Sequence, residues 1–225
     1  MRQEPNLRNL RALLVDAAGT LIYPAQNVAK VYLDHARLYG CKLSEEEVLA
    51  NFWRAFNTPW TRSVLRYEGD GWPFWEFIVE QSTGCKDSSL LEQLYLHYQQ
   101  PSAWKLAPGA LTALTHIRSS GIKLAVVSNF DTRLRPLLTA MGAAEAFDAL
   151  IISAEVGVEK PNPLIFKIAC EKLGVQPEEA VHIGNDHRND ITGAREAGCH
   201  AWLWGEDVKS FEEVGDRIVT TSERL

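Results

Sequence analysis

Short, almost unbroken apolar runs recur along this chain at residues 12–15, 123–128, 149–153, 180–183 and 201–204. Runs of this length and composition predict strands covered on both faces, the habit of a parallel sheet. Helix-period stretches separate them. Pro108 opens one that closes at Gly121, residues 164–173 close on Gly174, and residues 191–197 close on Gly198. Proline early and glycine just past the end are where a helix tolerates each. The alternation predicts right-handed βαβ units and a doubly wound α/β fold. In such a sheet the functional loops gather at the carboxyl ends of the strands.

Residues 24–105 break that rhythm, because they offer no convincing strand and several helix patterns, at 28–39, 44–56 and 88–99. Ser44 followed by Glu47 predicts a capping box at the start of the second. The aromatic stretch 67–77, interrupted by Gly69, Gly71 and Pro73, reads as a loop. A helical lobe inserted after the first strand accounts for this, with a core made of 1–23 and 106–225. Trp53, Trp60, Trp72 and Trp75 are expected to build the lobe's own core; any that faced a cleft would favour a ring-bearing substrate. Arg54, Arg62 and Arg66 read equally well as solvated helix charges and as a greeting for an anion.

Composition narrows the picture. Apolar residues are 46% and charged residues 23% of the 225, enough for a sizeable core and without a disorder signature. The net charge of -6 is spread along the chain, which argues against nucleic acid as a partner, since that needs a clustered basic stripe. No apolar run reaches membrane-span length, and the first ten residues lack the apolar core of a secretory signal. The four cysteines are scattered, with no Cys-x-x-Cys pair, and predict reduced, mostly buried thiols in cytoplasm or an organelle stroma such as that of a plastid.

Candidate chemistry falls at the ends of the predicted strands, in order: Asp16; Ser128-Asn129; Glu159-Lys160-Pro161; and Gly184-Asn185-Asp186-His187-Arg188-Asn189-Asp190. Transfer of a phosphoryl group needs a nucleophile, donors for the phosphate oxygens, a cation and a balancing charge. Asp16 can attack, the backbone amides of Ala17 and Ala18 can hold oxygens, Ser128 and Asn129 add polar groups, and Lys160 adds charge. Asp16, the Ala18 position, Asp186 and Asp190 are the candidate ligands for Mg²⁺, which accepts few carboxylates and keeps waters. His187 reads as an exposed loop histidine.

These four segments, in this order, resemble the four motifs of the haloacid dehalogenase-like hydrolase superfamily, over almost the whole chain. The inserted lobe resembles the helical C1 cap of that superfamily. Segments 127–135 and 201–205 look like the group named haloacid dehalogenase-like hydrolase domain-containing protein 3, in particular its plant and algal members. The resemblance implies Asp16 as nucleophile, Ser128 and Lys160 as phosphate-binding and charge-stabilising residues, and Asp190 as a metal-site acid.

Two departures from the pattern matter. Superfamily phosphatases carry a second aspartate, the general acid and base, where this chain has Ala18, and a positioned proton-transfer group is worth about 10²–10⁴-fold. Their fourth motif opens Gly-Asp, whereas here it opens Gly184-Asn185, which lowers the charge offered to Mg²⁺ unless Asp186 takes over. The expectation is Mg²⁺-dependent hydrolysis of a small phosphorylated metabolite, slow or atypical because of Ala18. The rival is a catalytically silent member that binds a ligand or protein partner. A phosphonatase would need a cap lysine for a Schiff base, and Lys30, Lys42 and Lys86 are poorly spaced for one. A dehalogenase would show tyrosines where Ala18 and Phe166 stand.

Overall fold

The computed structural model describes residues 9–222. The reading of the first ten residues as lacking a secretory core falls mostly outside them. Five strands form one parallel sheet: β1 (Ala12–Val15), β4 (Lys123–Ser128), β5 (Ala149–Ile152), β6 (Ala180–Gly184) and β7 (His200–Leu203). Their order is β5-β4-β1-β6-β7, so β1 is central, with Val15 beside Val126 on one side and Ile183 on the other. The chain turns outward in both directions from β1, which places a crevice at its carboxyl end.

Period-two alternation splits the strand side chains between two cores. Leu13, Val15, Leu124 and Val126 face helices α5 (Ala110–Ser119), α6 (Leu134–Ala140) and α10 (Phe211–Ser222). Ala12, Leu14, Ala125 and Val127 face α8 (Pro163–Leu173) and α9 (Gly193–Ala197). Both faces are covered, so the strands carry apolar residues in succession rather than in alternation with polar ones. The predicted ends shift slightly: β5 stops at Ile152 because Ser153 opens the short helix α7 (Ser153–Val156), its hydroxyl bonded to the backbone of Phe130. All four cysteines are free thiols. Among the described residues no helix is long and apolar enough to cross a membrane.

Between β1 and β4 lies a lobe of four α-helices, α1 (Val28–Ala36), α2 (Glu45–Phe56), α3 (Trp72–Thr83) and α4 (Ser88–His97), with a hydrophobic cluster of its own. The capping box at Ser44 and Glu47 forms in both directions. Two expectations are corrected here. The stretch 67–77 is a loop only as far as Gly71. Gly71, at φ 72°, is the N-cap of α3 and Pro73 sits in its first turn, a place where the missing N–H of proline is no loss. Strands are also not absent from this region's ends, since β2 (Ile22–Pro24) and β3 (Trp104–Leu106) pair antiparallel at the base of the lobe. At three residues each they are too short for a periodicity to show.

Candidate active site

Asp16 follows β1 directly, where the backbone leaves the sheet and turns at Gly19, whose φ of 90° suits glycine. The carbonyl of Ala17 accepts from the amides of Leu21 and Ile22, which locks the turn. Ser128 ends β4, and Gly184 ends β6. Asp16, Ala18, Ser128, Lys160, Asn185 and Asp190 all line one cavity of about 770 Å³ between the sheet and the lobe.

Lys160 organises the floor of this cavity. Its ammonium, nearly fully buried, donates to Asp16 Oδ1 and Asp190 Oδ1 at 2.6 Å each and to the carbonyl of Val127 at 3.0 Å. Burial alone would lower its pKa, but the two carboxylates outweigh it and hold the ammonium charged. Asp190 gains further support from His182 Nε2 at 2.9 Å and from the amide of Asp186, which donates to Oδ2 at 2.9 Å. Burial pushes Asp190 upward, yet Lys160 and His182 hold its carboxyl well below the ordinary range. Asp16 has less support: desolvation pushes it up to about 6, against the pull of Lys160 and helped by the nearby charge of Asp190.

The remaining expected residues take varied places. Asn129 lines the cavity, but its amide is spent on the backbone of Lys160, donating to its carbonyl at 2.8 Å and accepting from its amide at 2.7 Å. It therefore fixes the backbone of Lys160. Asp186 is exposed, with Oδ1 accepting from the amide of Asn189 and capping a π-helical turn at His187–Thr192. Asp16 and Asp190 meet at Lys160 while Asp186 stays exposed, and among the described residues no group of three His, Cys, Asp or Glu side chains is placed to hold a metal ion. Asp190 is turned inward to Lys160 and His182 because a buried ammonium requires a buried counter-charge. His187 is exposed, as expected.

A profile described as haloacid dehalogenase-like hydrolase matches residues 10–198. The chain belongs to this family. A relative in Bos taurus, haloacid dehalogenase-like hydrolase domain-containing protein 3, is 34% identical over 205 residues, covering 86% of this chain and 81% of its own length. A Thermus thermophilus phosphoserine phosphatase is 32% identical over 161 residues, covering 69% of this chain and 63% of its own. In fold the chain is similar to L-2-haloacid dehalogenase from Xanthobacter autotrophicus, with a TM-score of 0.68, 22% identity, and coverage of 94% of this chain and 83% of that one.

Three parts of this family member's site escape a reading of sequence alone. His182, the one polar residue in the buried run 180–183, had only that exception to signal it. Trp53 and Trp75 were expected to face inward within the lobe, yet both line the cavity, and Trp53 is 52% exposed. Asp131, fully buried on the loop after β4, accepts from the indole of Trp75 at 2.9 Å and from Arg133 at 2.7 Å, tying lobe to sheet.

Proposed function

We propose that this protein hydrolyses phosphomonoesters through an aspartyl-phosphate on Asp16, with the helical lobe acting as its cap. The placement of Asp16 supports this most: a buried carboxylate at the end of the central strand, opening on the cavity, with an ammonium at 2.6 Å. Lys160 takes Oδ1, which leaves Oδ2 to attack phosphorus as the ester P–O bond breaks and the alcohol oxygen departs with its electron pair, to be protonated by solvent. The amides of Ala17 and Ala18, the hydroxyl of Ser128 and the charge of Lys160 stabilise the phosphoryl oxygens as charge develops. Water then attacks the aspartyl-phosphate, releasing inorganic phosphate and restoring Asp16.

The oxygens available at the floor fit a weakly held Mg²⁺. Asp16 would supply one carboxylate and Ala18 its backbone carbonyl. The Asn185 side chain folds against Gly19, so closely that a Cβ there would meet it, and would add its amide oxygen. Magnesium is held by one or two carboxylates, waters and the substrate's phosphate in many sites. Bound there, it would offset the charge shared by the phosphate and Asp16. Asn185 and Ala18 make the set poorer in charge and in proton carriers than the motifs it resembles, and they favour, as a second reading, a silent protein that only binds its ligand.

Steady-state hydrolysis with Mg²⁺ tests the choice, comparing wild type with Asp16→Asn and Ala18→Asp. Turnover lost in Asp16→Asn and raised about 10²–10⁴-fold in Ala18→Asp is the expected result. Wild type no faster than Asp16→Asn, with activity only in Ala18→Asp, overturns it in favour of the silent reading.

A further inference from the structure

We infer that the substrate is a phosphomonoester of a ring-bearing phenol, an assignment that rests on the hydrolase reading above. Two independent observations lead to it. One is the shape and chemistry of the lobe's side of the cavity, and the other is what is missing on the floor.

Helix α2 carries two apolar faces. Val48, Phe52 and Ala55 are buried in the lobe. Leu49, Trp53 and Phe56, spaced as one helical stripe, line the cavity instead, with Leu49 38% and Trp53 52% exposed. Exposed large apolar groups on one stripe mark a surface with a use. The rings there pack on one another: Trp53 meets Phe56 edge-on at 6.0 Å, and Phe52 stacks on Phe56 at 5.8 Å. Tyr32, Trp75 and Trp104 continue the ring-rich wall. Two of the charged groups on this side are engaged: Arg66 lies 5.1 Å from the centre of the Phe56 ring, and Arg133 is paired with Asp131. At about 770 Å³ the cavity suits a ligand far larger than a phosphate ion.

The floor points the same way. Ala18 is exposed to the cavity where the resembled motif has its acid, so no side chain at that position can protonate a departing oxygen. An alkoxide is too basic to leave unassisted. A phenolate, whose conjugate acid titrates near 10 as tyrosine does, leaves with its electron pair as the Asp16–phosphorus bond forms and takes its proton from solvent afterwards. The lack of that acid, worth about 10²–10⁴-fold for a poor leaving group, matters little for a phenol. With no base at position 18 to activate water in the second step, the aspartyl-phosphate outlives the departing phenol.

The test measures kcat/KM of the full-length protein with Mg²⁺ for 2-naphthyl phosphate and glycerol 2-phosphate, together with a rapid-mixing record of naphthol release. The expected result is a preference for the naphthyl ester of about 10²-fold or more, with a burst of naphthol approaching one equivalent per protein. Trp53→Ala, on an exposed position, should cut that preference about tenfold, and phenyl phosphates of decreasing phenol acidity should slow in order. Equal or better turnover of glycerol 2-phosphate, lost in Asp16→Asn, would overturn the phenol assignment and leave the hydrolase reading standing. No Asp16-dependent turnover of either ester would overturn the hydrolase reading and this assignment with it.

Discussion

The ammonium of Lys160 lies 2.6 Å from the Asp16 carboxylate, and it is shared with Asp190 at the same distance. One cation between two buried anions cannot neutralise both. Asp190, with His182 and a backbone amide also donating to it, takes the larger part, and Asp16 is left near the edge of protonation, at about 6. Because a carboxylate only accepts, His182 must carry its proton on Nε2. The imidazole is buried and uncharged, its pKa pushed down by desolvation.

A nucleophile held this way lowers stability. The carboxyl of Asp16 titrates near 6 in the fold against 3.8 ordinarily, so the fold disfavours its charged form. That penalty is fully present above about pH 6 and is regained as the pH falls toward 3.8. The rise corresponds to at most about 3 kcal/mol, and loss of the Lys160 contact trims the gain on neutralisation to roughly 1–2 kcal/mol. Asp16→Asn should therefore melt about 2–8 °C above wild type at neutral pH, with the difference shrinking at pH 5. A variant that melts lower than wild type at neutral pH contradicts this account of the floor.

Asp190→Asn removes the repulsion that helps hold Asp16 up and gives Asp16 the whole of Lys160. The carboxyl of Asp16 then drops, and the acid limb of the pH profile of kcat/KM should move below its wild-type position near 6. The same change weakens a buried charge pair and should lower stability by about 1–3 kcal/mol. An acid limb that stays in place, measured in a protein that still folds, separates Asp190 from Asp16 and refutes the shared-cation picture.

Asn185→Asp restores a carboxylate beside the turn at Gly19, where the Asn185 side chain already lies. Ligand charge count sets how tightly a hard cation is held, so the Mg²⁺ concentration for half-maximal activity should fall by roughly tenfold. Asp186→Asn, whose side chain is exposed and caps the amide of Asn189, should move it little. If Asp186→Asn instead weakens Mg²⁺ and Asn185→Asp does nothing, the metal sits toward the rim.

The core strands were legible because burial on both faces leaves a run of apolar residues that no helix of that length explains; 12–15 and 123–128 match β1 and β4 to the residue. The lobe was legible as helices but not in orientation. Trp53 is one position from the buried Phe52, and amphipathic spacing does not tell a face buried in the lobe from one that lines a cavity. Asp16 and Ser128, singled out at strand ends, and Lys160, singled out by its order, line one cavity. The partners of Asp190 were hidden, since nothing along the sequence brings Lys160 and His182 to the same carboxylate.

Asp131 holds the lobe to the sheet, and removing its charge should loosen that hold. Its carboxylate accepts from the Trp75 indole of α3 and from Arg133, whose guanidinium also donates to the Tyr95 carbonyl of α4 at 3.2 Å and lies 3.6 Å from the centre of the Tyr95 ring. The next residue, Thr132, donates its amide to Gly69 of the lobe at 3.0 Å. Asn at 131 keeps the volume, and its oxygen can still take the Trp75 indole and Arg133 Nη2, which share Oδ2; its NH2 group then faces the backbone amide and Nε of Arg133, which both donate to Oδ1, and the mostly buried guanidinium loses its counter-charge. A loss of about 2–4 kcal/mol follows if the charge stays in place. If the lobe instead swings away, most of that loss appears locally. The amides of residues 69–75 should then exchange with solvent at least tenfold faster while those of β1 and β4 stay protected. Because the cavity is built from both sides, KM should rise several-fold with a smaller change in kcat. Faster exchange spread evenly over sheet and lobe would show that Asp131 supports the whole fold rather than this junction.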